Sequence, residues 1–197
     1  MWPWEHLAVG YLCYSLLVHL FGRRAPRAWP AVALAVGTQF PDLVDKPLAW
    51  TFGVLPSGHS LAHSAFAAVP AAALAVTVAW ALGRPRVGAA FGFGYLSHLP
   101  GDVIYPVLIG GEADYGFLFW PLVPAEGTDS GVGFLEMVRY LLARYRTELA
   151  QGEVATYLAV EVGLMASVAL LWLYDGAPPL GSVWARLRLG RPAEEPR

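Results

Sequence analysis

Ser57-Gly58-His59-Ser60-Leu61-Ala62-His63-Ser64 sets two imidazoles at the mouth of a long apolar run, residues 61–82. Beyond Ser64 that run has Thr77 as its one hydroxyl and no charge. A helix needs about 20 apolar residues to cross the hydrocarbon core, so the run reads as the clearest membrane span of the chain. Polar side chains at its mouth then need a chemical reason. If the helix already runs through both histidines, His59 and His63 share one face, the spacing at which a helix offers two nitrogens to one metal ion.

The composition agrees with a membrane setting. Of the 197 residues 56% are hydrophobic and 14% charged, against about 25% charged in soluble domains, and the mean hydropathy is +0.48. A formal net charge of -2 with arginines in short separate groups leaves no basic stripe, so a nucleic-acid partner is not expected. Cys13 is the only cysteine, which excludes an internal disulfide and a thiolate zinc site. The first residues lack a basic region and an A-x-A-like cleavage site, so a retained first helix is expected rather than a removable signal peptide.

Outward from the opening stretch, four more runs read as spans. Residues 7–21 follow Trp2 and Trp4 as interfacial anchors, and residues 28–40 form a short second span that Pro41-Asp42 stops. Residues 46–56 read as a Pro-bounded loop or interfacial helix. Residues 87–109 form a span with Ser97, His98, Pro100, Gly101 and Asp102 in its middle, so that helix is either broken or lines a cavity. Residues 132–150 have the period of an amphipathic helix, and residues 154–174 make the last span, interrupted by Glu161, whose role stays unassigned. The fold expected is an all-α polytopic membrane bundle of about five transmembrane helices, a single domain over residues 1–180 with residues 181–197 as an exposed cytoplasmic tail.

Arginine placement orients this bundle. Arg23, Arg24 and Arg27, then Arg84 and Arg86, then Arg186, Arg188, Arg191 and Arg197 fall on one side, which the positive-inside rule makes cytoplasmic. Glu5, Asp42, Asp45, Lys46, Glu112, Asp114, Glu126 and Asp129 fall on the other, with Arg139, Arg144 and Arg146 diluting the contrast. The chain is therefore expected as a multi-pass protein of the cytoplasmic membrane with its N-terminus outside.

Candidate ligands converge on that outer side. His6 precedes the first span, Asp42 and Asp45 follow the second, and His59 and His63 open the third. His98 lies about eleven residues from the inner end of the fourth, about 16 Å along a helix, and Asp102 is one turn further out on the same face. An ionisable pair within a span costs about 3 kcal/mol or more, which makes it a functional site by default; a buried structural pair is the plainer reading. Nitrogen and carboxylate ligands without thiolate suit zinc, with manganese or iron as alternatives, and the set could hold one ion or two. His19 lies away from this cluster and reads as an interfacial or packing histidine.

Five segments in order resemble a known pattern: Glu5-His6-Leu7, Phe40-Pro41-Asp42-Leu43-Val44-Asp45, the Ser57 to Ser64 stretch, Gly94-Tyr95-Leu96-Ser97-His98-Leu99-Pro100-Gly101-Asp102, and Phe119-Trp120-Pro121-Leu122. The chain is similar over these to the membrane-bound predicted metal-dependent hydrolases of the YdjM-like, LexA-regulated type. The resemblance implies that His6, Asp42, Asp45, His63, His98 and Asp102 are metal-binding and catalytic positions, with a phosphoester or lipid substrate. Two departures stand out. The family spaces its aspartates P-D-x-D-H, one residue closer than here, and where it has H-R-G-x-T-H-S this chain sets Gly58 and His59 at the first histidine and the arginine.

The expected activity is hydrolysis by a metal-activated water, with His6, Asp42, His63, His98 and Asp102 as metal ligands and Asp42, Asp45 and Asp102 as catalytic carboxylates. His59 and Lys46 are expected to bind a substrate phosphate or carboxylate, His59 remaining open as a ligand. The partners expected are the lipid bilayer and an amphiphilic substrate. Two other classes compete: an ion or proton pathway through His98, Asp102 and Glu161, and a structural membrane-stress protein without activity.

Overall fold

A chain this apolar forms helices because a helix satisfies its own backbone groups, and helices make up the regular structure of the computed structural model, with no strand among the described residues. It describes residues 1–108, 110–125, 131–151, 155–181 and 184. In order come α1 (Pro3–Gly22), α2 (Ala28–Lys46), a π-helical turn (Pro47–Thr51), α3 (Ala65–Ala81), α4 (Pro85–Leu108), a 3₁₀ turn (Gly116–Phe119), α5 (Phe134–Gln151) and α6 (Ala155–Tyr174). The expected tail, including Arg186, Arg188, Arg191 and Arg197, lies outside the described residues, as do Glu126 and Asp129.

Helix α4 is the hub, packing against α1, α2 and α3. Glycines let it come so close. A Cβ on Gly37 of α2 would sit 2.3 Å from the Phe91 carbonyl oxygen, and one on Gly94 of α4 would sit 2.5 Å from the Leu34 carbonyl oxygen. Small residues at facing positions are how membrane helices bring backbones together without a hydrophobic driving force. On another face of α4, Gly88 and Gly92 admit Ala79 and Val76 of α3. Around these contacts a core forms from Tyr11, Ala31, Leu34 and Ala90, and another from Ala68, Ala72, Tyr95, Leu99 and Phe117.

Contact pairs give the directions. Leu34 meets Gly94 and Thr38 meets His98, so α2 and α4 run parallel; Gly10 meets Thr38, so α1 opposes them. Helix α6 runs with α1, for Trp4 meets Glu161 near the starts and His19 meets Asp175 near the ends. One end of the bundle thus holds the starts of α1, α3 and α6 and the ends of α2 and α4.

Two local readings change, and a third that was left open is decided. Pro41 does not stop α2; the helix carries through it to Lys46, because proline removes one backbone donor and the neighbouring helices hold the rest of the turn. Pro100 and Pro106 likewise lie inside a continuous α4, so the fourth helix is unbroken. The helix expected through His59 and His63 starts only at Ala65, where Ser64 is the N-cap and its Oγ accepts the Phe66 N–H. His59 and His63 therefore stand in a turn, not on one helix face. The later start leaves Ala65–Ala81 as a shorter apolar helix, and Tyr157–Tyr174 of α6 is, among the described residues, the one stretch long and apolar enough to cross a membrane by length and hydropathy.

The bundle is apolar outside and polar inside. Phe21, Leu74, Trp80, Leu82, Leu170 and Leu173 are exposed, whereas Glu5, His6, Thr38, Asp42, Asp45, His63, His98 and Asp102 are buried. Extended apolar surface of this kind marks contact with membrane or protein rather than water. Gly94→Ala forces its Cβ onto backbone and should cost about 1–3 kcal/mol. Gly163→Ala, with nothing within 4 Å, should leave stability unchanged or slightly raised. Thermal unfolding of the two variants in detergent checks the contrast.

Candidate metal centre

The turn that replaces the expected helix is built around one carboxylate. Asp45, 0% exposed, accepts the backbone N–H groups of Ser60 at 2.9 Å, Ala62 at 2.8 Å and His63 at 3.2 Å. Its Oδ2 also accepts the Nδ1–H of His63 at 2.8 Å. Ser60 Oγ donates to the Ser57 carbonyl at 2.8 Å and Tyr95 O–H to the Ala62 carbonyl at 2.8 Å, so residues 57–63 are pinned from α2 and α4 together. Asp45 is thus a positioning group for His63, not an oxygen facing the cluster.

His98 is held in the mirror sense. Its Nδ1 lies 2.6 Å from the Thr38 carbonyl oxygen, and because a carbonyl only accepts, Nδ1 carries the proton. In its neutral form each of these imidazoles therefore presents a bare Nε2, the tautomer in which an acceptor behind the ring readies histidine for a metal. The two Nε2 atoms face each other at 3.2 Å. Two lone pairs at that distance repel unless a cation, proton or metal, stands between them.

Two carboxylate oxygens turn to the same place. Asp42 Oδ1 is 3.4 Å from His63 Nε2 and 3.8 Å from His98 Nε2; Asp102 Oδ2 is 3.6 Å and 3.0 Å from the same atoms. Both oxygens are buried and accept no hydrogen bond among the described residues, as expected of atoms that await a cation. With the nitrogen pair, the five separations lie between 3.0 and 3.8 Å, around the roughly 3.4 Å that separates two donors each about 2.1 Å from one tetrahedral ion. Zinc holds imidazole nitrogen and carboxylate oxygen at about 2.0–2.2 Å, so the donor set fits a divalent ion in both size and chemistry.

The remaining expected residues surround this quartet. His6 stacks on His98 with ring centroids 3.6 Å apart, and its Nε2 lies 3.1 Å from Asp102 Oδ1, which the Met1 amino group also meets at 2.6 Å. His59, with a side chain 46% exposed, rests against His63 and Phe117, and its Nε2 is 3.8 Å from Asp102 Oδ2. Lys46 Nζ bonds Asp42 Oδ2 at 2.6 Å and lies 5.6 Å over the Trp50 ring. By ligand reach two triplets form, His6 with His98 and Asp102, and Asp42 with His59 and His63.

Glu161 and His19 stand apart from the centre. Glu161 accepts Trp4 Nε1–H at 2.7 Å and Tyr145 O–H at 3.0 Å, tying α6 to α1 and α5. His19 pairs with Asp175 at 2.6 Å, where Tyr11 and Ser15 also donate, and so fastens the other ends of α1 and α6. Sequence reasoning missed Thr38, Ser60, Tyr95 and Asp175. Thr38 acts through its carbonyl, which no residue type advertises; Tyr11, Ser15 and His19 at four-residue steps on α1 were the available signal for the last.

In comparison with known proteins, residues 1–181 match the family described as YdjM inner membrane protein. No curated protein and no solved structure matches the chain.

Purified protein should bind a divalent ion stoichiometrically, and His63→Ala or His98→Ala should abolish that binding. Asp45→Asn, which weakens the support of His63 and of the turn that carries it, should lower affinity by about 10–100-fold. Because ligation needs neutral imidazole, binding should fall on acidification and return when the pH is raised. Elemental analysis and titration calorimetry read all three.

Proposed function

The chain belongs to the YdjM inner membrane protein family, and from this premise we propose that it is a membrane-bound metal-dependent hydrolase acting on a phosphoester or lipid-like amphiphile. The observation that carries the reading is the pair of bare Nε2 atoms of His63 and His98, 3.2 Å apart, with unpaired oxygens of Asp42 and Asp102 turned to them. A catalyst needs such donors pre-oriented, and here Thr38 and Asp45 supply that orientation before any ligand arrives.

A divalent ion bound by His63, His98, Asp42 and Asp102 supplies Lewis-acid polarisation and a water of lowered pKa. Zinc is the ion we propose first, with manganese or iron able to use the same donors; if the two triplets act instead as separate sites, the same residues could hold two ions. The chain's own residues do the rest. Whichever carboxylate, Asp42 or Asp102, is not fully engaged with the ion would take up a proton from water. Lys46 places a positive charge beside the site through its contact with Asp42 Oδ2. His59, half-exposed on Phe117, is the group an incoming phosphate or carboxylate meets first.

For the membrane arrangement we propose five crossings, by α1 to α4 and α6, with the site end outward. Helices of 20, 19, 17, 24 and 20 residues reach about 26–36 Å at about 1.5 Å per residue, close to the hydrocarbon thickness of about 30 Å. Arg23, Arg24, Arg27, Arg84 and Arg86 stand at the opposite end from the site, as a cytoplasmic end requires. The site then opens to the outer leaflet, where an amphiphile can reach it sideways.

Metal-loaded protein in mixed micelles should release headgroup or phosphate from a phospholipid or phosphoester panel. His98→Ala should lower that rate by at least about 100-fold at unchanged folding, as loss of a metal ligand does. Metal binding without turnover of any member would return the chain to a structural role. A reporter enzyme fused after Arg86 should read cytoplasmic; an external reading overturns the orientation.

A further inference from the structure

The end of the bundle opposite the metal centre gathers charge of one sign. Helix α1 finishes at Gly22, where Arg23 takes a left-handed conformation and turns the chain towards α2. Arg24 then folds back on the helix it follows: its Nε lies 3.2 Å from the point where a Cβ on Gly22 would stand, and Val18, one turn earlier, is 3.7 Å from the same point. The side chain therefore lies against α1, partly buried, instead of reaching out into water. Two further guanidiniums stand beside it. Burial, together with the charges of Arg86 in the first turn of α4 and Arg27 before α2, holds Arg24 below the ordinary arginine range. The Tyr14 hydroxyl of α1 is within range of both Arg24 and Arg86, and the Tyr14 ring meets Phe93 of α4 at 5.9 Å, where the two helices pack.

No carboxylate answers these charges. Arg24, Arg27 and Arg86 form no ion pair among the described residues, and neither α2 nor α4 has an acidic residue in its first turn. Asp175 is the acidic residue described at this end, and its oxygens are taken by Tyr11, Ser15 and His19. Arg23 and Arg84, both exposed, add two more positive charges. A guanidinium keeps its proton at ordinary pH, so titration cannot relieve the repulsion. Holding a loop on the cytoplasmic side needs only charge, wherever the side chains point. Convergence on a partly buried guanidinium calls for an anion as well.

We propose that Arg24, Arg27 and Arg86 form a binding site for the phosphate of an anionic phospholipid in the leaflet at this end. Guanidinium matches phosphate oxygens through forked hydrogen bonds, and basic pockets between membrane helices hold lipid headgroups in this way. Lipid is the source, not free phosphate, because Leu20, Phe21 and Trp29, on the turns that flank these arginines, are exposed and offer apolar surface to acyl chains. The inference takes the membrane from family membership and depends neither on hydrolysis nor on which leaflet this end meets.

Native mass spectrometry of the full-length protein tests it. The protein is chelator-treated, delipidated in detergent and titrated with lipid at about 0.15 M salt, where charges more than about 8 Å apart are largely screened. Phosphatidylglycerol should be retained in preference to phosphatidylcholine. Arg24→Gln, Arg27→Gln and Arg86→Gln should each weaken its binding about fivefold, and any of the three that keeps its melting temperature in detergent is a sufficient test. Arg23→Gln combined with Arg84→Gln, an equal or greater loss of charge at the same end, should weaken it less than about twofold. Inorganic phosphate in excess should leave the lipid bound. Equal retention of phosphatidylcholine overturns the proposal. So does displacement by inorganic phosphate, or a loss in the Arg23 and Arg84 pair as large as in the three, which would mean diffuse attraction without a site. Chelation stops metal-dependent turnover, so a failure here leaves the hydrolase reading untouched, and inactivity of the metal-loaded protein leaves this one.

Discussion

The carbonyl of Thr38 accepts the Nδ1 proton of His98, and the arrangement of the whole polar interior depends on that one contact between α2 and α4. It exists because Gly37 and Gly94 remove the side chains that would hold the two backbones apart. Once the helices touch and run parallel, Asp42 stands beside His98 and, one turn on, Asp102.

The same economy governs the turn at residues 57–63. An isolated carboxylate in an apolar interior is costly, and Asp45 is stabilised by donors from the turn it organises. The turn in return presents His63 with its Nε2 bare. A buried acid thereby becomes a folding template and a second-shell acceptor at once. The interior gains rigidity from polar contacts, while the apolar exterior provides little specificity of its own, as expected where lipid and side chain are equally apolar.

Several features were legible from residue types alone. Hydropathy and the small share of charged residues marked a membrane chain, and the family match bears out both the YdjM-like resemblance and the membrane setting. The helical class followed from the same composition. His98 and Asp102 were conspicuous because ionisable groups are rare inside apolar runs. Helix limits were less legible: Pro41 read as a stop, yet tertiary contacts carry α2 through it, and residues 61–64, at the head of the apolar run, read as helix although Asp45 holds Ala62 and His63 in a turn. Local propensity is a weak signal where a buried charge decides the backbone.

What the sequence by itself determined is the membrane character, the helical class and the ordered set of histidines and aspartates, since these depend on composition and on periodicity along one chain. The tertiary structure alone decided which nitrogen of His63 and His98 is bare, which oxygens of Asp42 and Asp102 face them, and that Asp45 turns away to hold the Ser57 to His63 turn. The physical reason is that a proton's position on an imidazole is set by the acceptor opposite it. Those acceptors, a carbonyl 60 residues away for His98 and a carboxylate 18 residues away for His63, become neighbours only when the helices pack.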